Sequence, residues 1–551
     1  MYSMARVAFA ITCALSVISA AAAATPMVLP HLSRPQAQYL LAHPDEMTKF
    51  MAHYTQARRS APASKRVAFP SGGTWTTVTA GPTGLCNPLL LHDGNVLVHD
   101  CLGSDWWVLT PNRFGNYAAG HWTQAATPPV IGGTQYAPRY FASAVLPDGR
   151  VLVVGGEYNN GSLQDTNDGA IYDPLFDEWK AVKPPAAIGA QEIGDAASVV
   201  LRNGVFVLAP CCSQPYQNYR FNENNLAWSP VPAPDENGAQ FQDEQGYDLL
   251  PNGNVLTIDI YGSPDAAEQF TQSTNMWSSA GSTPVSLVDP CGFNEIGPAV
   301  LRGPTLVAFG GNTGCKTPAT DPTAIYNTVT QTWSSGPVVP SLCGTDGTSP
   351  CTLADAPAAL LRTGSILFAA SAGYGTAPTH FFEFTRNNSI VQVSDPLRDS
   401  NIPSGQYNFL ELPSGQIFVT NGVISPAEIY TPKGATLATY VPTITSVNST
   451  LAPGVSYVLS GKQLNGRSQG AMYGDDAQAA TNYPMLLVKN NATQHVFYAY
   501  TFAYSTMSIA ANAPSSFSFL LPNNIETGAS TLQVIANGVP SAPVDVTINA
   551  S

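Results

Sequence analysis

Residues 143–156, "SAVLPDGRVLVVGG", contain the turn that decides the fold. Two apolar runs flank Asp148-Gly149, a dipeptide typical of tight turns, so the stretch predicts a hairpin of two buried strands. Similar hairpins recur along the chain at intervals of roughly fifty to sixty residues, the period of a β-propeller blade. The other turns lie at Asp93-Gly94, Asn203-Gly204, Asn252-Gly253, Gly303-Pro304, Thr363-Gly364 and Ser414-Gly415.

Each hairpin is followed by a third strand with an aromatic residue, such as "IYDP" at 171–174. Most repeats add a fourth strand with a tryptophan, but the last repeat lacks one. The stretch "GTWTTVT" at 73–79 supplies it from the other end of the chain, with Trp75 in the expected place. We therefore expect a seven-bladed propeller over residues 71–440, closed by this strand so that no sheet edge is exposed.

The remaining segments give the domain organisation. After Tyr440 the period stops, and short alternating strands over 441–551 predict an immunoglobulin-like β-sandwich, which makes the protein all-β. Residues 25–70 are amphipathic and helical in pattern, either a pro-segment or an arm packed on the propeller. Residues 1–24, with Arg6 before a short apolar stretch, are typical of a secretory signal. No later segment is apolar for long enough to span a membrane.

Composition limits the classes of partner. The net charge is −14, which argues against nucleic-acid binding because phosphates require a basic surface. Without the signal, eight cysteines remain, an even number that suits disulfides in an extracellular or periplasmic compartment. Cys211 and Cys212 are adjacent, and either form a vicinal disulfide or pair elsewhere. We expect a secreted monomer.

An acidic position recurs at the start of the innermost strands. Eight residues before the successive turns stand Leu85, Tyr140, Asp195, Glu244, Glu295, Asp355 and Gln406. In a propeller, equivalent inner-strand positions face one channel at one height, so four consecutive acids would form an arc. They either mark solvated strand starts or serve a function. The functional alternatives are a hard cation such as Ca²⁺, a general acid and base pair, and acceptors for the hydroxyls of a polyol.

Kelch-type repeats with strand ends such as "VLVVGG" (151–156) and "VAFGG" (307–311), followed by a sandwich domain, resemble the galactose oxidase and glyoxal oxidase family. The resemblance covers about residues 70–551. It implies a copper ion at the propeller axis, held by two tyrosines and two histidines. One tyrosine is linked to a cysteine by a thioether, and the resulting radical cofactor oxidises a primary alcohol or aldehyde and makes hydrogen peroxide.

The match to this family is partial. "PRYFASAVLPDG" (138–149) places Tyr140 at the cross-linked tyrosine, and "GLCNPLLLHDG" (84–94) offers Cys86. The Tyr-His pair should lie in "SGQYNFLELPSG" (404–415), and the last histidine in "MYGDDAQAATNYP" (472–484). Gln406, or Tyr407 and Asn408 in a shifted alignment, and Gln478 stand there instead. Copper prefers imidazole nitrogen, so both metal-binding histidines are missing.

Cys86 has a second possible partner. The hairpin turn at Asp93-Gly94 places Cys86 opposite Cys101, near enough for a disulfide. We favour this disulfide, which would exclude the thioether.

The sequence therefore predicts a secreted carbohydrate-active protein that keeps the oxidase scaffold without its copper and binds or acts on a glycan or polyol. The candidate catalytic residues are Asp195, Glu244, Glu295, Asp355 and Tyr140, and the candidate substrate-binding residues are Gln406, Tyr407, Asn408, Asp475, Asp476 and Gln478. If it is an enzyme, hydrolysis or elimination is expected. The alternatives are a copper radical oxidase and a non-catalytic kelch binding protein. No cofactor is expected, Ca²⁺ is an option for the acids, and copper belongs only to the oxidase alternative.

Overall fold

The structure is a computed structural model. It describes residues 42, 43, 45 and 69 and residues 72–550, except 80, 102, 187, 189–191, 213–216, 235–241, 292–293, 313–320, 341–342, 344–350, 374, 399–400, 423–425, 475 and 511. The predicted signal and nearly all of the predicted helical segment lie outside the described residues. From residue 72 on, the described chain is all-β, with two short 3-10 turns at Ser404–Gln406 and Ala438–Tyr440. No helix in the part of the chain that is described is long and apolar enough to cross a membrane.

Seven antiparallel sheets contain the repeats; six of them take four strands from one repeat, and the seventh takes three. Sheet 1 contains Leu85–Leu90, Val96–Asp100, Trp106–Thr110 and His121–Gln124; sheet 2 contains Ala142–Val145, Val151–Val154, Gly169–Asp173 and Glu178–Ala181. Sheet 3 contains Ala197–Val200, Phe206–Ala209, Asn218–Asn222 and Ala227–Val231; sheet 4 contains Asp248–Leu249, Val255–Ile258, Ala266–Thr271 and Met276–Ser282.

The last three sheets follow the same plan with two additions. Sheet 5 contains Ala299–Arg302, Thr305–Phe309, Thr323–Asn327 and Thr332–Ser335; sheet 6 contains Ala358–Leu360, Ile366–Ser371, Thr379–Phe384 and Ile390–Val393. Sheet 7 contains Asn408–Glu411, Ile417–Thr420, Glu428–Thr431 and, as its fourth strand, Thr74–Thr77. The pairing of Trp75 with Tyr430 confirms that the N-terminal strand completes the last repeat. Gly470–Met472 and Ala479–Ala480 extend sheet 6 on its first-strand side.

The first strands of the seven sheets form a ring. Each contacts the first strand of the next sheet in chain order, and the first strand of sheet 7 contacts that of sheet 1. Tryptophan side chains on the fourth strands join neighbouring sheets. Each indole N–H donates to a backbone carbonyl in the fourth strand of the preceding sheet or just after it, at 2.6–3.3 Å. These tryptophans are Trp75, Trp122, Trp179, Trp228, Trp277 and Trp333.

The C-terminal part forms one nine-stranded sheet. Its strands are Thr443–Ser446, Thr450–Leu451, Ser456–Lys462, Met485–Asn490, Val496–Phe502, Pro514–Leu520, Gly528–Ala536, Val539–Pro540 and Val544–Ile548. The strand Val496–Phe502 pairs with Met485–Asn490 through its first half and with Pro514–Leu520 through its second half, so the sheet curls around its own apolar core.

This C-terminal sheet packs against the hairpin turns of the ring. The Tyr500 hydroxyl donates to the Asp148 carbonyl at 2.5 Å, and the Tyr483 hydroxyl donates to the Leu90 carbonyl at 2.5 Å. Gly149 has a φ of 85°, and a Cβ atom there would lie 2.1 Å from the Tyr500 hydroxyl oxygen. Both the backbone conformation and the lack of space therefore require glycine at this turn. The starts of the first strands, where the aligned acids stand, therefore lie at the other end of the ring.

The segment 470–480, here called the central hairpin, runs from the C-terminal part into the ring. Its strand Gly470–Met472 pairs with the first strand of sheet 6, with Met472 opposite Ala358, and also contacts the first strands of sheets 5 and 7. Its strand Ala479–Ala480 contacts the first strands of sheets 1, 2 and 7. The central hairpin thus packs in the middle of the ring.

Candidate functional site

A left-handed backbone conformation recurs at the aligned position or at the residue just before it. Tyr140, Glu244 and Asp355 have left-handed φ values of 51°, 64° and 50°. In sheets 3 and 5 the preceding residue takes this conformation instead, with φ of 70° at Gly194 and 60° at Asn294. A left-handed non-glycine residue costs on the order of 1–3 kcal/mol, and such residues cluster at functional sites. The repeat therefore has a built-in kink at the start of its first strand.

Three of the aligned acids come together at this end of the ring. Glu244, Glu295 and Asp355 each offer a carboxylate oxygen, and these atoms lie within 4.8 Å of one another. All three side chains are fully buried, with 0% of their surface exposed. They come from sheets 4, 5 and 6, so the neighbouring positions of these sheets in the ring bring them together. We call these three residues the acidic triad.

A second acidic group shares one member with the triad. Asp195, Asp243 and Glu244 also offer ligand atoms within 4.8 Å of one another, and all are buried. Asp243 accepts a hydrogen bond from the Tyr261 hydroxyl at 2.9 Å. The sequence analysis missed Asp243 because it compared one position per repeat, although the adjacent acids in "QDEQG" (242–246) were a signal. Glu244 thus lies between two groups of carboxylates.

Electrostatics limits the charge that this arrangement can hold. Two ionised carboxylates 4.8 Å apart repel each other by about 3 kcal/mol at an effective dielectric constant of ~20. Burial adds a desolvation cost to each charge. Repulsion and burial therefore both disfavour the fully ionised form of the triad.

The central hairpin lies against the acidic triad. A Cβ atom on Gly474 would lie 3.3 Å from the Asp355 Oδ1, and a Cβ on Gly246 would lie 2.9 Å from the Gly474 carbonyl oxygen. Two of the predicted binding residues, Asp476 and Gln478, are buried within this hairpin, and Asp475 lies outside the described residues. The acids are therefore covered.

Gln478 has a structural role in the hairpin. Its side-chain amide donates to the Tyr473 carbonyl at 3.2 Å, and its own carbonyl accepts from the Ser143 hydroxyl at 2.9 Å. The Gln478 side chain thus bonds within the hairpin, and the Gln478 backbone carbonyl fastens the hairpin to sheet 2.

The three candidates in sheet 7 differ in their environment. Gln406 is 5% exposed, and both its amide oxygen and its amide nitrogen lack a hydrogen-bond partner in the described structure. Tyr407 packs in an apolar core with its ring edge-on to that of Phe381, and Asn408 is a buried strand residue paired with Thr420. Gln406 thus has a buried amide without a hydrogen-bond partner in the described structure.

Tyr140 is held by its neighbour Arg139, which the sequence analysis did not single out. The Arg139 Nη2 donates to the Tyr140 hydroxyl oxygen at 2.8 Å, and the guanidinium carbon lies 4.7 Å from the centre of the Tyr140 ring. Tyr140 is 8% exposed. An arginine stacked on a phenol is a cation–π pair, which fixes the orientation of the ring.

The disulfide predicted between Cys86 and Cys101 is confirmed, with the two Cα atoms 5.6 Å apart. A cysteine in a disulfide cannot form a thioether with Tyr140. Cys211 and Cys212 form the vicinal disulfide, which decides the alternative that the sequence left open. Cys343 and Cys351 form another disulfide.

The histidines of the described chain contribute nothing to the acidic groups. The groups of potential metal ligands found among the described residues contain no histidine. His92 lies at the contact with the C-terminal sheet, where its Nδ1 is 2.8 Å from the Thr501 carbonyl oxygen. His99 packs between the rings of Trp106 and Phe141, and burial lowers its pKa to about 3. The donors of the acidic triad are oxygens, which suit a hard cation rather than copper.

Comparison with solved structures gives only remote similarity. A SapL1 lectin in complex with alpha methyl fucoside is 13% identical with a TM-score of 0.32, over 57% of this chain and 97% of the lectin. A protein of unknown function from Dyadobacter fermentans DSM 18053 is 14% identical with a TM-score of 0.31, over 59% and 100% of the two chains. Kluyveromyces lactis Hsv2 is 10% identical with a TM-score of 0.33, over 64% and 98%. Similarity at this level indicates no function.

Comparison with curated proteins gives no match. The family comparison gives a local one, which falls on sheet 2 and the segments that flank it. Residues 138–186 match the Kelch motif, a repeat of β-propellers.

Proposed function

We propose that this chain is a secreted glycan-binding protein whose seven sheets are the blades of one kelch-type propeller. The ring of first strands, the tryptophan hydrogen bonds between sheets and the Kelch motif support this arrangement. Residues 441–551 would form an immunoglobulin-like domain, and the whole chain would be a galactose oxidase-like scaffold. The even set of cysteines, of which several are disulfide-bonded, is compatible with secretion.

The chemistry of the donors opposes the copper radical alternative. Cys86 is bonded to Cys101, and where the resemblance implies histidines stand Gln406 or, in the shifted alignment, Asn408, and Gln478. Without imidazoles and without the thioether, the scaffold has neither the ligands nor the radical cofactor of the oxidases. We therefore place the chain among proteins that keep this fold for another use.

The observation that carries the proposal is the convergence of acids from sheets 3 to 6 at one end of the ring. Carboxylates accept hydrogen bonds from sugar hydroxyls, and Tyr140 occupies the aligned position of sheet 2 with its ring held by Arg139. Tyr140 and Gln406 are the more exposed residues of the proposed binding site, and the acids form the deep part of this site.

A glycan array probed with the full secreted chain tests this proposal. We expect binding to a defined set of glycans, and at least a tenfold weaker affinity for Asp195→Asn, because the amide changes an acceptor oxygen into a donor. Glu411→Gln is the matched control, since Glu411 is a buried acid of the ring outside both acidic groups. Equal binding by Asp195→Asn and wild type would refute the site. Hydrogen peroxide formed in proportion to added copper would instead establish the oxidase alternative.

A further inference from the structure

We propose that the vicinal disulfide between Cys211 and Cys212 positions Asp195, so that ligand binding at this end of the ring is lost when the disulfide is reduced. This inference rests on the proposed function, because Asp195 belongs to the proposed glycan site. It adds a positioning element to that site and a chemical condition, the oxidised state of one disulfide, under which the site is complete.

The disulfide lies opposite Asp195 in sheet 3. The paired first and second strands of this sheet have Ala197 opposite Ala209. The same register two residues further on places Asp195 opposite Cys211, and the Cys211 N–H donates to the Ile193 carbonyl at 3.0 Å. The two cysteines are buried, with 0% and 6% of their surface exposed. Their sulfurs and a carboxylate oxygen of Asp195 lie within 4.8 Å of one another.

The backbone next to Asp195 leaves the disulfide no room to move. Gly194 has a left-handed φ of 70°, and a Cβ atom on it would lie 2.3 Å from the Cys211 Sγ. The sulfur therefore packs directly on the backbone of the residue that precedes Asp195. The Gly194 carbonyl in turn accepts a hydrogen bond from the Gly156 N–H of sheet 2 at 2.7 Å. A displacement of the sulfur is thus passed to the backbone that carries Asp195.

Cys211 also bonds to the segment that carries the other members of the second acidic group. Its carbonyl accepts a hydrogen bond from the Gln242 N–H at 3.5 Å. Gln242 directly precedes Asp243 and Glu244, which share the second acidic group with Asp195. The backbone of one cysteine therefore joins the two segments that build this group.

The position of this disulfide in the sequence favours a local role over general stabilisation. A disulfide restricts the unfolded chain more strongly when it closes a longer loop. The bond between Cys86 and Cys101 spans 15 residues. Cys211 and Cys212 are neighbours, so their bond closes almost no loop. What it fixes is the geometry of the chain around Asp195.

Reduction changes this geometry by a defined chemical step. A dithiol gives two electrons and two protons to the bond between the two sulfurs, which breaks to two thiols, while the dithiol closes its own disulfide. The sulfurs then separate from about 2.05 Å to roughly 3.5–4 Å, the ordinary distance between nonbonded heavy atoms. Because the Cys211 Sγ already packs on Gly194, we expect the added separation to displace this backbone and Asp195 with it.

The test titrates the full secreted chain with dithiothreitol buffers of graded reduction potential. The probe is the glycan that oxidised wild type binds most tightly on the array. Its affinity should fall at least tenfold, in step with the fraction of Cys211 and Cys212 that mass spectrometry finds as alkylated thiols, and reoxidation should restore it. Hydrogen exchange of residues 193–197 and 242–248 should increase over the same range of potential. The double variant Cys211→Ser, Cys212→Ser should bind as weakly as the reduced chain at every potential.

The control variant Cys343→Ser, Cys351→Ser lacks another disulfide, outside both acidic groups, and should keep the redox dependence of wild type. Exchange of Val496–Phe502 in the C-terminal sheet reports global unfolding and should stay constant, and an equal increase there would refute a local role. So would a Cys211–Cys212 bond that resists reduction in the folded chain, or one whose reduction changes neither affinity nor exchange.

The two proposals fail in different ways. Exchange that follows the reduction of Cys211 and Cys212, with no glycan bound at any potential, would uphold the positioning role and refute the proposed function. A glycan bound equally by the oxidised and the reduced chain would uphold the proposed function and refute the role of the disulfide. Wild type alone gives both results, so a variant that fails to fold does not leave the inference undecided.

Discussion

Glu411 shows how one buried acid sets a pH dependence. It lies at the end of the first strand of sheet 7 and accepts hydrogen bonds from Asn537 at 3.0 Å and Thr481 at 3.2 Å. Burial raises its pKa to about 8, an effect that these hydrogen bonds only partly offset. The folded chain therefore keeps the proton between pH 4.5 and 8, where the unfolded chain loses it, so this residue's contribution to stability decreases as pH rises through that window.

Replacing Glu411 with glutamine should remove this dependence. The amide imitates the protonated acid, so the stability of the variant should not fall in this window. Between pH 4.5 and pH 8 we expect its stability relative to wild type to increase by on the order of 4 kcal/mol. Urea unfolding of both proteins across this range measures the change. Parallel pH profiles for the two proteins would contradict the raised pKa.

Single residues were predictable where the repeat determines them. The period placed the four acids at one position, and three of these are the triad. Glu411 could not be found in this way, because its raised pKa depends on Asn537 and Thr481, which lie far away in the sequence. The burial of the triad also depends on a distant segment, the central hairpin. Sequence spacing shows which residues are equivalent, but not what covers them.

The strand Thr74–Thr77 completes sheet 7, and Trp75 anchors it to its neighbours. Trp75 donates its indole N–H to the Ser394 carbonyl at 2.6 Å, and its ring packs 5.0 Å from that of Phe381 and 5.1 Å from that of Tyr430. Trp75→Ala should lower the free energy of unfolding by about 3–5 kcal/mol, because it leaves a cavity and loosens the strand that completes sheet 7. Deletion of residues 72–79 should expose the edge of Glu428–Thr431 and cause aggregation.

Trp228→Ala is the matched control for this element. Trp228 makes the same type of hydrogen bond, to the Lys183 carbonyl at 2.9 Å, but it is only half-buried and its strand continues the chain of its own sheet. We expect Trp228→Ala to lower the free energy of unfolding less than Trp75→Ala does, with both variants measured by thermal unfolding. A truncated chain that lacks residues 72–79 but melts like wild type would show that the strand is not needed to complete sheet 7.

In the whole molecule, the N-terminal strand completes sheet 7, and the C-terminal sheet packs on the hairpin turns of the ring. The hairpins and tryptophans follow from a short period, so sequence reasoning could predict them. The docking of the C-terminal sheet on the turns depends on particular contacts, such as Tyr483 with Leu90 and Tyr500 with Asp148, between segments hundreds of residues apart. The pairing of Gly470–Met472 with sheet 6 is equally nonlocal, and no spacing in the sequence indicates it.

His92 makes this docking sensitive to acid. Its Nδ1 lies 2.8 Å from the Thr501 carbonyl oxygen, its ring packs 4.6 Å from that of Tyr483, and its Nε2 is buried without a hydrogen-bond partner in the described structure. Burial lowers the pKa of His92 to about 4, because protonation would place an unpaired N–H among aromatic rings. Between pH 6.5 and 4 the unfolded chain binds the proton and the folded chain does not, so stability falls as the pH falls through this window.

Hydrogen exchange of the full chain at pH 7 and pH 4.5 tests the role of His92. After correction for the intrinsic exchange rate, we expect protection of Val496–Phe502 to decrease at pH 4.5, since this strand is the part of the C-terminal sheet that contacts the turn. His92→Gln should be less stable than wild type at pH 7, because the ring contact with Tyr483 is lost, but its stability should depend less steeply on pH below 6.5. His121→Gln, at an exposed position on the fourth strand of sheet 1, is the control and should behave as wild type. An acid-induced loss of protection in His92→Gln as large as that in wild type would show that another group makes the docked sheet acid-sensitive.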